Sequence, residues 1–186
     1  MCSTLHALSK EKMTGKNFTP FPVLQTGRLT LRQLRSSDDQ AILALRSNAS
    51  VNQYLDRQPS KSLADAQKFI QTITEAVHRN ESVYWAITLS GTDKLVGTVG
   101  LFNVGENPAT AEIGYELLPD FQGKGLMQEA LAKVLRFGFQ QVGLHVIEAY
   151  TRAENQRSTR VLENLNFKRD SAADESLMLF KLTHTG

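Results

Sequence analysis

The densest chemistry in this 186-residue chain lies between Glu112 and Ala130, in the run EIGYELLPDFQGKGLMQEA. A strand-like stretch ends at Pro119, and a glycine-containing turn leads straight into a helix-forming one. The first turn of a helix leaves about four backbone N–H groups without internal partners, and the helix dipole makes that end partly positive. Phosphate binds readily at such an end. Gly123 and Gly125 let the main chain close around an anion with no Cβ in the way, and Lys124 between them adds a cation directed either at phosphate or at solvent. Upstream, Glu112 and Glu116 are four residues apart, so strand alternation puts both carboxylates on one face. There they either accept a proton through water or merely face solvent. Downstream, Asn155 precedes a short helical stretch as its cap. Ser158 falls in that helix's first turn, where a hydroxyl is often only solvated or locally bonded.

Several other chemistries are excluded. A dinucleotide fingerprint needs a third glycine where Gln128 stands, and nothing matches the paired glycines and Lys-Ser or Lys-Thr of a nucleotide P-loop. His6, His78, His145 and His184 are scattered, with no second ligand at metal-binding spacing, so no metal is expected. Cys2 is the sole cysteine; it rules out an intramolecular disulfide and fits a reducing compartment. A net charge of +2 gives no case for nucleic acid, though it leaves room for a local basic groove. No apolar stretch approaches the ~20 residues of a membrane span, and Lys10, Glu11 and Lys12 interrupt any signal core. With 41% hydrophobic and 22% charged residues, the composition is that of a soluble globular protein. A cytoplasmic protein is expected.

The elements that must position these groups follow from periodicity. Residues 1–21 are polar and read as a loose N-terminal arm, with residues 22–186 as one domain. Arg28 to Leu34 alternates as a first strand. Ser37-Asp38-Asp39-Gln40 reads as a capping box opening a helix through Ile42, Leu43 and Leu45, and Ser62-Leu63-Ala64-Asp65 resembles a second cap. Behind it Ala66, Phe69, Ile70, Ile73 and Val77 recur at helical spacing. Tyr54 to Pro59 is irregular. Strands are expected at 83–89, 95–102, 111–118, 145–151 and 177–182, with a Gly105-Glu106-Asn107-Pro108 loop after the second of these. A helix is expected from about Lys124 to Gln141, and a short one after Asn155.

Against this background the chain resembles the GNAT acetyltransferases. Gln122-Gly123-Lys124-Gly125-Leu126-Met127 is similar to their Gln/Arg-x-x-Gly-x-Gly/Ala signature, with Met127 where Gly or Ala is usual. The segment from Asn155 to Phe167 resembles the Asn-x-x-Ser-x-x-x-Leu-x-x-x-Gly-Phe pattern of the branch that includes ribosomal-protein N-terminal alanine acetyltransferases, with Asn166 in place of Gly. Thr26 to Asp38 resembles the opening of that branch. The three matches stand in the family's order and span roughly residues 26–182.

The resemblance implies an α/β (α+β) GNAT fold: a mixed sheet of about six to seven strands, splayed between the fourth and fifth, flanked by about four helices. It implies acetyl-coenzyme A as co-substrate, with its pantetheine arm against strand backbone near Leu117 and Leu118. Its diphosphate would lie on the amides of Gly123, Lys124, Gly125, Leu126 and Met127, with Gln122 also at the cofactor. Asn155 would bond the arm in addition to capping its helix. Ser158 would lie near the cofactor sulfur and protonate the departing thiolate. Of the two glutamates, Glu116 is the preferred base because it is nearer the strand end; some family members instead position the amine and let water take the proton. A covalent acetyl-enzyme would most plausibly use a thiol, and Cys2 is far in sequence from these motifs, so direct transfer in a ternary complex is expected. The favoured acceptor is a protein or peptide N-terminus. A polyamine, amino acid or aminoglycoside is the nearer alternative, and a non-catalytic acyl-coenzyme A sensor or a cofactor-free interaction domain the more distant ones. Monomer and homodimer both stay open.

Overall fold

A computed structural model describes residues 17–104, 109–170 and 177–184. The chain runs β1 (Leu24–Gln25), β2 (Leu29–Gln33), α1 (Asp39–Ser47), α2 (Ala49–Asn52), α3 (Leu63–His78), β3 (Val83–Leu89), β4 (Leu95–Phe102), β5 (Thr110–Leu117), α4 (Leu126–Phe137), β6 (Val146–Arg152), α5 (Gln156–Asn164), β7 (Lys168–Arg169) and β8 (Leu177–Thr183). The strands form one open eight-stranded sheet in the order β1-β2-β3-β4-β5-β6-β8-β7. Among the described residues there are eight strands and five α-helices, against about six to seven and about four expected. β1, β7 and α2 hold two, two and four residues, too short for a periodicity to register in sequence.

Adjacent residues on a strand face opposite sides of a sheet, and two aromatic pairs show which helix covers which side. Trp85 meets Phe137 of α4 edge-on at 5.4 Å, whereas Tyr84 meets Phe69 of α3 at 5.8 Å. The register carries these faces across the sheet. Trp85 pairs with Val99 and Val99 with Tyr115, so Tyr115 lies on the α4 side; Ala86, Thr98 and Glu116 align on the α3 side. Trp85 is fully buried and its indole N–H donates to Pro22 O at 2.6 Å. Burying a side chain of that size stabilises the domain by about 1.5–3 kcal/mol.

Every strand pairing is antiparallel except β5 with β6. Those two strands are joined by α4, the crossover that parallel neighbours need. They pair only at Thr110–Val146, Ala111–Ile147 and Glu112–Glu148, although β5 continues to Leu117 and β6 to Arg152. The sheet therefore opens between them, at the expected place.

Three local expectations meet the structure differently. Ser62 and Asp65 form the reciprocal box, with Ser62 Oγ accepting from the Asp65 amide and Asp65 Oδ2 from the Ser62 amide. Ser37 caps nothing: a short 3-10 turn, Ser36–Asp38, precedes α1, and buried Asp38 pairs with Arg32 through two 2.8 Å bonds. Asn166, in place of the family's Gly, adopts φ 64° just past α5, a left-handed conformation that Asn tolerates next best after Gly. Residues 1–16, with Cys2, and the Gly105–Pro108 loop lie outside the described residues, but Phe18, assigned to the arm on sequence, is buried at 2% exposure.

Candidate active site

The open end of the β5–β6 gap leads into a cleft of about 1170 Å³. Its walls are residues 50–55 after α1, the end of β5, the loop from Pro119 into α4, and the first turns of α5. Glu116, Leu117, Gln122, Gly123, Gly125, Leu126, Met127, Asn155 and Ser158 all line it. Glu112, Leu118 and Lys124 do not.

The loop owes its shape to its glycines. Gly123 and Gly125 have φ of 73° and 74°, the left-handed region that costs a residue with a Cβ roughly 1–2 kcal/mol. Among the described residues, no protein acceptor meets the amides of Gly123 through Met127, and Gly125 begins α4 with no side-chain cap. These donors thus form an uncapped, positively polarised end beside the cleft. Met127 turns its side chain into the core, where it is 9% exposed, so the departure from the usual small residue leaves the amides open. Lys124 extends over the Phe121 ring, 5.7 Å from its centre. Gln122 spans the cleft mouth: its Nε2 donates to Leu117 O at 2.8 Å, and its Oε1 accepts from Arg157 of α5 at 2.7 Å.

Along β5 the main chain sorts the two leucines. Leu118 N–H donates to Val96 O, and Leu118 O accepts from Phe121 N–H. Both its groups are used inside the protein, which corrects the expectation that Leu118 faces the pantetheine arm. Alternation then turns the neighbouring Leu117 amide away from β4, toward the gap.

The side chains approach the gap from both faces. On the α4 side, the hydroxyls of Tyr115 and Ser158 are 2.7 Å apart. Asn155 caps α5 by accepting from the Ser158 amide at 3.2 Å. Burial pushes the Tyr115 hydroxyl up to about 12, against a smaller opposing effect of Ser158, so Tyr115 keeps its proton at neutral pH. On the α3 side, Glu116 is held by Arg57, whose NH1 and NH2 donate to Oε1 and Oε2 at 2.5 and 2.6 Å. Arg57 Nε donates to Asn52 Oδ1, and Asn52 Nδ2 donates in turn to the Arg46 and Asn48 carbonyls. Both carboxylate oxygens of Glu116 are therefore committed, which leaves it poorly disposed as a free base. Glu112 sits outside the cleft, paired in register with Glu148; burial, with Glu148 nearby, raises its pKa. Alternation correctly gave the glutamates one face but could not show which of them reaches the cleft. Tyr115, Arg57, Arg28 and Glu129 carried no sequence signal, because these partners are 43 to 103 residues away. Among the described residues, no cluster of His, Cys, Asp or Glu could hold a metal, and no helix is long and apolar enough to cross a membrane.

This fold, with a splayed parallel pair beside a glycine loop, defines an acyltransferase class, and comparison with known proteins agrees. Residues 28–168 match the acetyltransferase (GNAT) domain. The chain belongs to that family and is an N-acetyltransferase. It is 34% identical over 150 residues to the uncharacterized N-acetyltransferase YoaA of Bacillus subtilis (strain 168), covering 81% of this chain and 85% of that one. Among solved structures, RimL, a ribosomal L7/L12 alpha-N-protein acetyltransferase in complex with coenzyme A, superimposes with a TM-score of 0.79 at 20% identity, covering 87% and 98% of the two chains. A spermidine N-acetyltransferase from Vibrio cholerae, in complex with CoA and spermine, gives 0.76 at 21% identity, covering 85% and 96%. At these identities the structures establish the shared fold.

Proposed function

We propose that this protein moves an acetyl group from acetyl-coenzyme A directly to the α-amine of a protein or peptide N-terminus. The observation that carries the reading is the continuity of one cleft, which joins the unpartnered amides of 123–127, the β5–β6 gap and the Ser158 hydroxyl. The diphosphate would lie on those amides, beside Gln122, and the pantetheine arm would run past Asn155 into the gap. The neutral amine attacks the thioester carbonyl carbon, forming a C–N bond; the tetrahedral oxyanion is met by the Leu117 amide. As the C–S bond breaks, the thiolate takes a proton from Ser158, whose hydroxyl is oriented by Tyr115 and regains its proton from water. The amine's surplus proton leaves to water, since Glu112 lies off the cleft and Glu116 is tied to Arg57. Holding both substrates in line supplies much of the rate.

The acceptor preference rests on charge. The wall Ser50, Val51, Gln53, Tyr54 and Leu55 carries no ionisable carboxylate, and Glu116 beside it is neutralised by Arg57. A polyamine has several cationic centres to satisfy, and of the two carboxylates that line the cleft among the described residues Glu116 is tied to Arg57, which leaves Glu154 beside α5. RimL, a ribosomal L7/L12 alpha-N-protein acetyltransferase, and the spermidine N-acetyltransferase both share the fold, so the choice of acceptor rests on the cleft lining. The test is coenzyme A release with acetyl-coenzyme A and a panel of peptides, polyamines, amino acids and aminoglycosides, followed by mass spectrometry of each acceptor. Peptides gaining one acetyl group support the reading. Acetylation confined to polyamines overturns the acceptor assignment, and coenzyme A binding without turnover on any amine points to a sensor.

A further inference from the structure

The phosphate-side loop is gripped from behind by residues far away in sequence. Glu129, in the first turn of α4, accepts from Thr26 Oγ1 at 2.5 Å, from the Arg28 amide at 2.9 Å and from Arg28 Nε at 2.7 Å. Thr26 and Arg28 belong to the turn between β1 and β2, so this carboxylate ties the sheet edge to the start of the helix. With its Nε so held, Arg28 reaches forward with NH1 and donates to the Lys124 carbonyl at 2.9 Å. A trans peptide points its C=O and the following N–H in opposite directions. A Lys124 carbonyl drawn toward Arg28 therefore turns the Gly125 amide away from Arg28. Gly123, Gly125 and Leu126 line the cleft, while Thr26, Arg28 and Glu129 do not. Arg28 therefore holds this peptide from a position off the cleft that Gly125 itself lines. A Cβ at Gly125 would come within 3.5 Å of Arg28 NH2, so the guanidinium lies against the back of this peptide.

We infer that Arg28, braced by Glu129 and Thr26, is a positioning residue that sets the 124–125 peptide so that the Gly125 amide meets the cofactor diphosphate. The inference rests on the reading of this loop as the diphosphate cup, and it makes the β1–β2 turn part of the cofactor site without touching the cofactor. The planar Arg28 guanidinium matters as much as its charge, because Nε holds Glu129 while NH1 holds the carbonyl.

The test is binding of coenzyme A, and of pantetheine, which lacks the diphosphate, measured by NMR titration on wild type, Arg28→Met, Arg28→Lys and Glu129→Gln. Arg28→Met should weaken coenzyme A about tenfold, the loss from misaiming one charge-assisted hydrogen bond, with pantetheine unchanged. Glu129→Gln should act in the same direction, and Arg28→Lys should fail to restore full affinity. Because Glu129→Gln is nearly isosteric, it carries the test if Arg28→Met does not fold. Unmoved coenzyme A affinity in the variants, or equal weakening of both ligands, would overturn the positioning role alone. A wild-type protein that binds neither ligand would overturn the cup and this role with it.

Discussion

Replacing either member of the Arg57–Glu116 pair separates two accounts of the acceptor side. The side chains are 18% and 12% exposed and meet through two short parallel bonds. Arg57 also anchors to Asn52, which caps the carbonyls of Arg46 and Asn48. Removing one partner of a fully buried pair costs about 3–5 kcal/mol, and an exposed pair contributes roughly 0–1 kcal/mol. With the residual solvent discounted, Arg57→Ala should cost about 2–3 kcal/mol, or about 4–12 °C in Tm for a domain of this size. Glu116→Gln keeps the shape and one acceptor, and should cost about 1–2 kcal/mol. Kinetically, both variants should raise acceptor KM, leave acetyl-coenzyme A KM alone, and keep kcat within about threefold, because the pair holds the wall at 50–59 and does no proton transfer. Thermal unfolding and initial rates across pH 6–10 test this. If Glu116 were the base, Glu116→Gln would lower kcat about a hundredfold or more and erase its pH dependence. Arg57→Ala, by freeing the carboxylate, would then preserve or raise kcat. That pattern would refute the reasoning.

Ser158→Ala should lower kcat about a hundredfold with coenzyme A affinity within about twofold by calorimetry. Tyr115→Phe should lower kcat by about tenfold, the effect of losing an orienting hydrogen bond rather than the acid itself. Since burial lifts the Tyr115 hydroxyl to about 12 while an unfolded chain ionises its tyrosines near 10, this residue's share of stability is intact below about pH 10. It is lost as pH rises from there toward 12, and Tyr115→Phe should flatten that part of a pH–denaturation series. Gly125→Ala, placed at φ 74°, should cost about 1–2 kcal/mol and weaken coenzyme A, both read from ligand-dependent melting. Asp38→Asn leaves the buried Arg32 guanidinium with the exposed Asp93 carboxylate and two carbonyls and should cost about 2–3 kcal/mol in urea titrations while leaving both KM values unchanged.

Local features were legible in the sequence because their causes are local. The Ser62–Asp65 box, the Asn155 cap, the left-handed Asn166 and the glycine turn into α4 each depend on residues within a few positions of one another. Alternation likewise gave the strands and the shared face of Glu112 and Glu116. Pairings across the fold had no such trace. Asp38 looked like part of a capping box until Arg32 claimed it, and Glu116 gave no sign of its Arg57 partner, which is 59 residues away. Leu118 looked as available as Leu117 because only the register with β4 decides which carbonyl and amide face the gap. Strands of two residues are invisible to any periodicity, so β1 and β7 emerged only with the sheet.

The most direct measurement of the central claim is a two-dimensional amide NMR titration with coenzyme A. The account predicts that the Gly123, Gly125, Leu126 and Met127 N–H resonances move most, together with those of Leu117 and Ser158 along the gap. Saturation with those resonances stationary, and the shifts clustered elsewhere, would contradict it.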